Sequence, residues 1–303
     1  MKYASIDIGT NTVLLLIVDA GKDVQDVLDI STITRLGEGL KKKGNLSKRA
    51  MTRTFSALKN YKELVERHGV KVVYCVGTSA LREAKNSADF LKSVKEELGI
   101  SIRVISEYEE AYYTYLSIKY DERMKGKKFI IIDIGGGSTE IIKGNREEFT
   151  DFVSLPIGSV KLTEMFIRHD PPEEDEIKSL TGFIRETISF PFDGKDCRVI
   201  GTAGTITNLA SIILGLENYD KSRIHGLNIL YKDIGGVIKR LKAMTTSERR
   251  AIRGMEKGRE DIILQGIILL KEIMSYFKAD EIIVSANGVR YGVIYEKLGS
   301  LLQ

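Results

Sequence analysis

Two aspartates stand where chemistry is expected. Asp7 in "SIDIGTNT" and Asp133 in "IIDIGGGSTE" each end an apolar run and precede glycine and small hydroxyl residues. Glycine inside a strand-like pattern costs conformational entropy and packs nothing, so it signals a tight turn or a close backbone approach. Exposed N–H groups in such a turn form a concave anion site, to which Ser and Thr hydroxyls add donors. The candidate phosphate ligands are therefore Gly9, Thr10, Asn11 and Thr12 in the first copy, and Gly135, Gly136, Gly137, Ser138 and Thr139 in the second. A plain hairpin turn is the alternative for either stretch alone. Aligned on their aspartates, the copies match at Ile8 with Ile134, Gly9 with Gly135 and Thr12 with Ser138, at an offset of 126 residues. A carboxylate beside phosphate is repelled unless a cation intervenes, so Asp7 and Asp133 read as a Mg²⁺ site, directly or through water. Otherwise each aspartate caps its own turn.

Other groups fall at the carboxyl ends of predicted strands, where α/β sheets place ligands. Thr78 and Arg82 follow the strand "VKVVYCVG", and a guanidinium suits bidentate phosphate contact. Ser106 and Glu109 have the spacing of a capping box, which gives Glu109 a local structural task. Glu110, the next residue, has no such task; it is a solvated first-turn acid or a group aimed at a ligand. "GTAGT", with Gly204 and Thr205, is a third strand, glycine turn and helix element.

The elements that must carry these groups recur. Each half opens with strand, turn, strand, and the repeat predicts duplicated lobes over 1–124 and 125–303, with short crossings that act as a hinge near 120–128. Val24 to Arg35 reads as a third strand, Lys41 to Lys43 as a solvated loop, and Ser47 as the cap of a helix reaching about Arg67. "ISIRVIS" reads as a strand and about Arg259 to Phe277 as a largely apolar helix. A final helix, about 289–299, is expected to pack back on the first lobe.

At 303 residues and 43% hydrophobic, the chain can build two cores. Its apolar runs are strand-sized and interrupted, which points to a cytoplasmic protein without membrane span or signal peptide. With 46 basic against 42 acidic residues, the net charge of +4 is too balanced for nucleic acid or membrane as the main partner, yet suits a small polyanion in a local basic site. Cys75 and Cys197 lack metal-ligand spacing and read as buried thiols. His68, His169 and His225 read as structural or surface groups. Three glutamines and no tryptophan lean towards a thermophilic source.

Taken in order, Asp7-Ile-Gly-Thr-Asn-Thr, Thr78-Ser-Ala-Leu-Arg82, Ile105-Ser with Glu109-Glu110-Ala111, Asp133 to Glu140, Gly201 to Thr205 and Asn287-Gly-Val-Arg290 resemble the exopolyphosphatase / guanosine pentaphosphatase family. That family lies within the actin, Hsp70 and sugar-kinase superfamily, and the resemblance covers nearly the whole chain. It implies an α/β fold of two actin-like (ribonuclease H-like) lobes, each a mixed sheet flanked by helices, with an interlobe cleft. It also implies Mg²⁺-dependent hydrolysis of a terminal phosphoanhydride, releasing orthophosphate from polyphosphate or guanosine pentaphosphate. Mn²⁺ is a substitute metal, K⁺ a candidate additional cation and a homodimer a candidate assembly. Glu110 matches the family's catalytic glutamate, Arg82 a group that absorbs transition-state charge, Asp133 the metal-linked acid and Glu140 a further acidic residue. Two departures stand out. Thr207 occupies a position where some members carry lysine, and the chain resembles a short form that ends at Gln303 without the C-terminal domain of others.

Other classes remain open. A kinase of the same fold calls for a catalytic aspartate in the first lobe, and an ATPase activator calls for cluster cysteines. An alarmone or nucleotide sensor with little turnover is distinguished only by whether Glu110 is needed.

Overall fold

The computed structural model describes residues 1–21, 24–124 and 128–299, so residues 125–127 of the expected hinge lie outside the described residues. The chain forms two compact units, Met1–Ser117 with Gly288–Gln303, and Ile118–Asn287. The division falls earlier than the expected boundary after residue 124, and the C-terminal segment belongs with the first unit.

The first unit is built from β1 (Lys2–Ile8), β2 (Thr12–Ala20), β3 (Val24–Ile33), α1 (Leu40–Lys43), α2 (Lys48–Arg67), β4 (Val72–Gly77), α3 (Ser79–Glu83), α4 (Ser87–Leu98), β5 (Arg103–Val104) and α5 (Glu107–Lys119). The sheet order is β3-β2-β1-β4-β5, with β1 antiparallel to β2 and parallel to β4. The run "TVLLLIVDA" of β2 is apolar on both faces because both are covered, unlike a strand with one wet face. Val13, Leu15 and Ile17 enter a core with Leu58, Tyr61 and Val65 of α2. Leu16 and Val18 point the other way.

The second unit follows with β6 (Phe129–Ile134), β7 (Thr139–Gly144), β8 (Phe149–Leu155), α6 (Ser159–Phe166), α7 (Glu174–Thr187), β9 (Arg198–Thr202), α8 (Ala203–Leu214), α9 (Lys221–Ile224), β10 (Asn228–Leu230), α10 (Tyr231–Lys242), α11 (Thr246–Arg250), α12 (Ile263–Tyr276) and β11 (Glu281–Val284). Its sheet, read as β8-β7-β6-β9-β11-β10, reproduces the first: β6 is antiparallel to β7 and parallel to β9. The sequence repeat is thus a repeat of topology. Ile130, Ile132 and Ile134 of β6 join Ile206 and Leu209 of α8 and much of α12 in one core. The chain then returns to the first unit as α13 (Val289–Leu298), whose Tyr291, Ile294 and Leu298 cover Leu16 and Val18.

Several local expectations shift. Lys41 to Lys43 are exposed, but on the single-turn helix α1 rather than a loop. The strand expected over "ISIRVIS" pairs only at Arg103–Val104, with Ile105 N–H still donating to Gly77 O at 3.0 Å. α12 begins at Ile263 because Arg259 and Ile262 close turns, Arg259 N donating to Glu256 O and Ile262 N to Arg259 O, each at 3.0 Å. Cys75 is buried, whereas Cys197 is only partly so, and both are free thiols.

Candidate functional site

The two aspartate turns fold alike. Gly9 N donates to Thr12 O at 3.0 Å, and Gly135 N to Ser138 O at 3.1 Å. A Cβ on either glycine would lie 3.2 Å from that carbonyl, tighter than a side chain normally sits. Asp7 and Asp133 end β1 and β6 and are both buried, each 8% exposed.

In the first unit the turn is braced from two sides. Thr78 N donates to Ile8 O at 3.1 Å, which brings the start of α3 to the end of β1. Thr34 N and Arg35 N both donate to Asn11 O, and Gly37 N to Thr10 O at 2.8 Å, so the connector after β3 folds over the turn. Arg82 and Glu110 meet: Arg82 Nη1 donates to Glu110 Oε2 at 2.8 Å and to Ile105 O at 3.0 Å. Glu110 is buried. Among the described residues, Nε and Nη2 of Arg82 meet no protein acceptor, so the guanidinium orients Glu110 while keeping donors for an anion.

Glu109 faces elsewhere. Its Oε2 accepts from Ser106 N at 2.8 Å and Ser106 Oγ at 3.0 Å, while Glu109 N donates back to Ser106 Oγ at 3.2 Å. This is the expected capping box. The Ser106 N–H, its hydroxyl and the nearby Arg103 hold the Glu109 carboxyl below the usual carboxylate range. Adjacent glutamates at the start of α5 thus have separate tasks.

In the second unit, Gly135, Gly136 and Gly137 turn back against α6. Ser159 N donates to Gly135 O at 3.0 Å, and Val160 N to Gly136 O at 3.0 Å. The approach requires Gly158, where a Cβ would stand 2.6 Å from Gly135 O and Gly136 C. Thr139 Oγ1 donates to Ile157 O at 2.8 Å, so this hydroxyl braces β7. Asp133 and Glu140 are register partners across β6 and β7, and Ser154 Oγ donates to Glu140 at 3.0 Å. Directly opposed carboxylates on one face repel unless a cation neutralises them. Their hard oxygens suit Mg²⁺, which takes one or two carboxylates and completes its shell with water and substrate phosphate. Among the described residues, no three His, Cys, Asp or Glu side chains come together as a closed metal cage. At the equivalent register position of the first unit, Asp7 is opposed by Leu14.

Gly204 and Thr205 lie in the first turn of α8. A Cβ on Gly204 would be 2.1 Å from Arg259 Nη2, so the guanidinium rests on the turn. Arg259 is buried and ion-paired with Glu256. Sequence reasoning missed it, since "EKGREDII" looks like a solvated charge run. It also missed Lys161, a buried lysine on α6 whose own N–H donates to Gly136 O. A lone lysine amid "SVKLTEMF" was the available signal. Thr207 Oγ1 donates to Ala203 O at 3.2 Å. Of the histidines, His225 is half-buried with its side chain 8% exposed, Nε2 lying 3.0 Å from Asp121 Oδ2 and Nδ1 accepting from Ala286 N.

The model of the Ppx/GppA phosphatase family matches residues 16–301. Exopolyphosphatase 2 of Mycobacterium tuberculosis is 31% identical over 98% of this chain and 99% of that protein. The bifunctional 3-dehydroquinate synthase/phosphatase of Fusobacterium nucleatum is 35% identical over 97% of this chain, which spans about half (46%) of that longer protein. The crystal structure of an exopolyphosphatase from Cytophaga hutchinsonii superposes with a TM-score of 0.91 at 30% identity, covering 99% of this chain and 98% of that one. The two mixed, unclosed sheets flanked by helices therefore constitute the actin-like two-lobe fold. Among the described residues, no helix is long and apolar enough to cross a membrane.

Proposed function

Because the chain belongs to the Ppx/GppA phosphatase family, we propose that it hydrolyses terminal phosphoanhydride bonds, releasing orthophosphate from inorganic polyphosphate or guanosine pentaphosphate. The observation that carries this is the division of labour on α5: Glu109 is consumed by the helix cap, and Glu110 is turned onto Arg82. Glu110 accepts a proton from water as the water oxygen bonds to the terminal phosphorus and the bridging P–O bond breaks towards the shortened chain. A carboxylate held on a guanidinium keeps one orientation, and the remaining Arg82 donors face the charge that develops on the phosphoryl oxygens. The phosphate-binding turns are Gly9–Thr12, with Thr78, in the first unit and Gly135–Thr139, with Gly204 and Thr205, in the second, the N–H groups of Gly9 and Gly135 and the hydroxyl of Thr139 serving to shape the turns rather than to bind. Asp133, supported by its register partner Glu140, would hold in the second unit a Mg²⁺ whose charge offsets that of the substrate, and Asp7 is the corresponding carboxylate of the first.

Phosphate release from long-chain polyphosphate, guanosine pentaphosphate and ATP, with Mg²⁺, with Mn²⁺ and with chelator, tests the proposal beside Glu110→Gln. Metal-dependent release abolished in the variant is the expected result, and the fastest substrate names the specificity. No release from any substrate, with binding intact, would make the protein a sensor of such ligands.

A further inference from the structure

The phosphate turn of the first unit carries carbonyl groups as well as amides, and a carbonyl oxygen turned towards an anion repels it. Two of these carbonyls are drawn to the connector after β3. Gly37 N donates to Thr10 O at 2.8 Å, while Thr34 N and Arg35 N donate to Asn11 O at 3.0 and 2.9 Å. A trans peptide is planar with its N–H opposite its C=O, so the bond on Thr10 O aims the Asn11 N–H away from the connector. The connector therefore sets the direction of that donor.

The connector is itself held by Arg53 of α2. Arg53 Nε donates to Thr34 O at 2.7 Å, and Nη2 donates to Arg35 O at 3.3 Å and to Glu38 Oε2 at 2.8 Å. Thr34 and Arg35 are thus fixed at both ends: their N–H groups hold the turn, and one guanidinium holds their carbonyls. Arg35 O also accepts from Glu38 N at 3.1 Å, which closes the bend that carries Gly37 to Thr10. The approach is close there, since a Cβ on Gly37 would lie 2.3 Å from Thr10 Cγ2. The planar fork of arginine spans two successive carbonyls, which the compact ammonium of lysine does not reproduce. Glu38 is exposed, so its ion pair contributes little and the main-chain bonds carry the contact.

From this we infer that Arg53 is a positioning residue for phosphate binding by the Gly9–Thr12 turn, acting through the connector and touching no substrate itself. The inference rests on the phosphate-binding role of that turn. A bound phosphate held equally before and during the reaction affects KM and leaves kcat alone.

Arg53→Met, Arg53→Lys, Glu38→Gln and Gly37→Ala test the assignment. Tripolyphosphate affinity is measured by calorimetry, KM and kcat on polyphosphate, and Tm without ligand. Arg53→Met should weaken tripolyphosphate binding by about tenfold, a modest effect for a displaced binding group, and raise KM by the same factor at constant kcat. Arg53→Lys should recover part of the affinity, and Glu38→Gln should keep all of it. Gly37→Ala should match Arg53→Met, because it pushes the connector off Thr10 with the guanidinium intact. An arginine that only stabilises the fold would lower Tm and leave the affinity of the folded protein unchanged. Unchanged affinity in Arg53→Met or in Gly37→Ala would overturn the inference while sparing phosphate binding by the turn. A wild-type protein that binds no tripolyphosphate would overturn both.

Discussion

Replacing each of the two adjacent glutamates of α5 should give opposite phenotypes. In Glu109→Ala, the capping box loses the bonds from Ser106 N at 2.8 Å and Ser106 Oγ at 3.0 Å, while the Ser106 hydroxyl still accepts from residue 109 N–H. Half a box is lost, and the Arg103 pair with Glu109 is too exposed to matter much. The expected cost is about 1 kcal/mol, readable as a lower denaturation midpoint with unchanged slope. Turnover per folded molecule should change by less than the tenfold that about 1.4 kcal/mol of barrier represents. Glu110→Gln reverses the pattern. The amide oxygen still accepts from Arg82 Nη1, so stability should move by no more than about 1 kcal/mol, yet proton acceptance is gone and phosphate release should fall by about 10²–10⁴. Urea denaturation and initial rates of phosphate release, measured on the same preparations, check both. A Glu109→Ala protein as inactive as Glu110→Gln, or a Glu110→Gln protein that keeps more than a tenth of its activity, would refute the assignment.

The Arg82–Glu110 pair should couple by about 1–2 kcal/mol in a double-mutant cycle of stability with Arg82→Met and Glu110→Met, between exposed and buried pairs because both side chains are partly shielded. Additive losses would mean that the bond carries no energy. Gly158→Ala should cost about 3 kcal/mol or more and abolish phosphate binding by the second turn, because the new Cβ meets backbone atoms of Gly135 and Gly136 at 2.6 Å that cannot swing aside; chemical denaturation and tripolyphosphate calorimetry check this. Burial opposes the charge of Glu260, but backbone N–H donors and Arg250 outweigh it and lower its pKa below 4.5. Its contribution is therefore fully present above pH 4.5 and lost as pH falls from there through the lower folded value. Wild type should lose more stability over that interval than Glu260→Gln, as acid titrations of the denaturation midpoint would record.

Features settled within a few residues of chain were legible in the amino-acid order alone. A side chain reaches its own backbone within one helical turn, so Ser106 and Glu109 announce their capping box and Ser47 its helix. Strand period and burial write the apolar run of β2, and the need for bare backbone writes Gly9 and Gly135. The offset repeat of Asp7 and Asp133 then foretells two sheets of like topology. Which distant groups meet was not legible there, since each meeting depends on how the intervening chain closes. Glu110 could have faced water until the ends of β4 and β5 brought Arg82 beside it. Glu140 became the partner of Asp133 through the register of β6 and β7, whereas the same position opposite Asp7 holds Leu14. Arg259 came to rest on Gly204 only because the turns ahead of α12 pack against α8, and Arg290 bonded Asp29 at 2.8 Å only because α13 returned to the first sheet. Local hydrogen bonding and periodicity are properties of a short segment, but an ion pair between residues far apart in sequence exists only after the cores between them have formed.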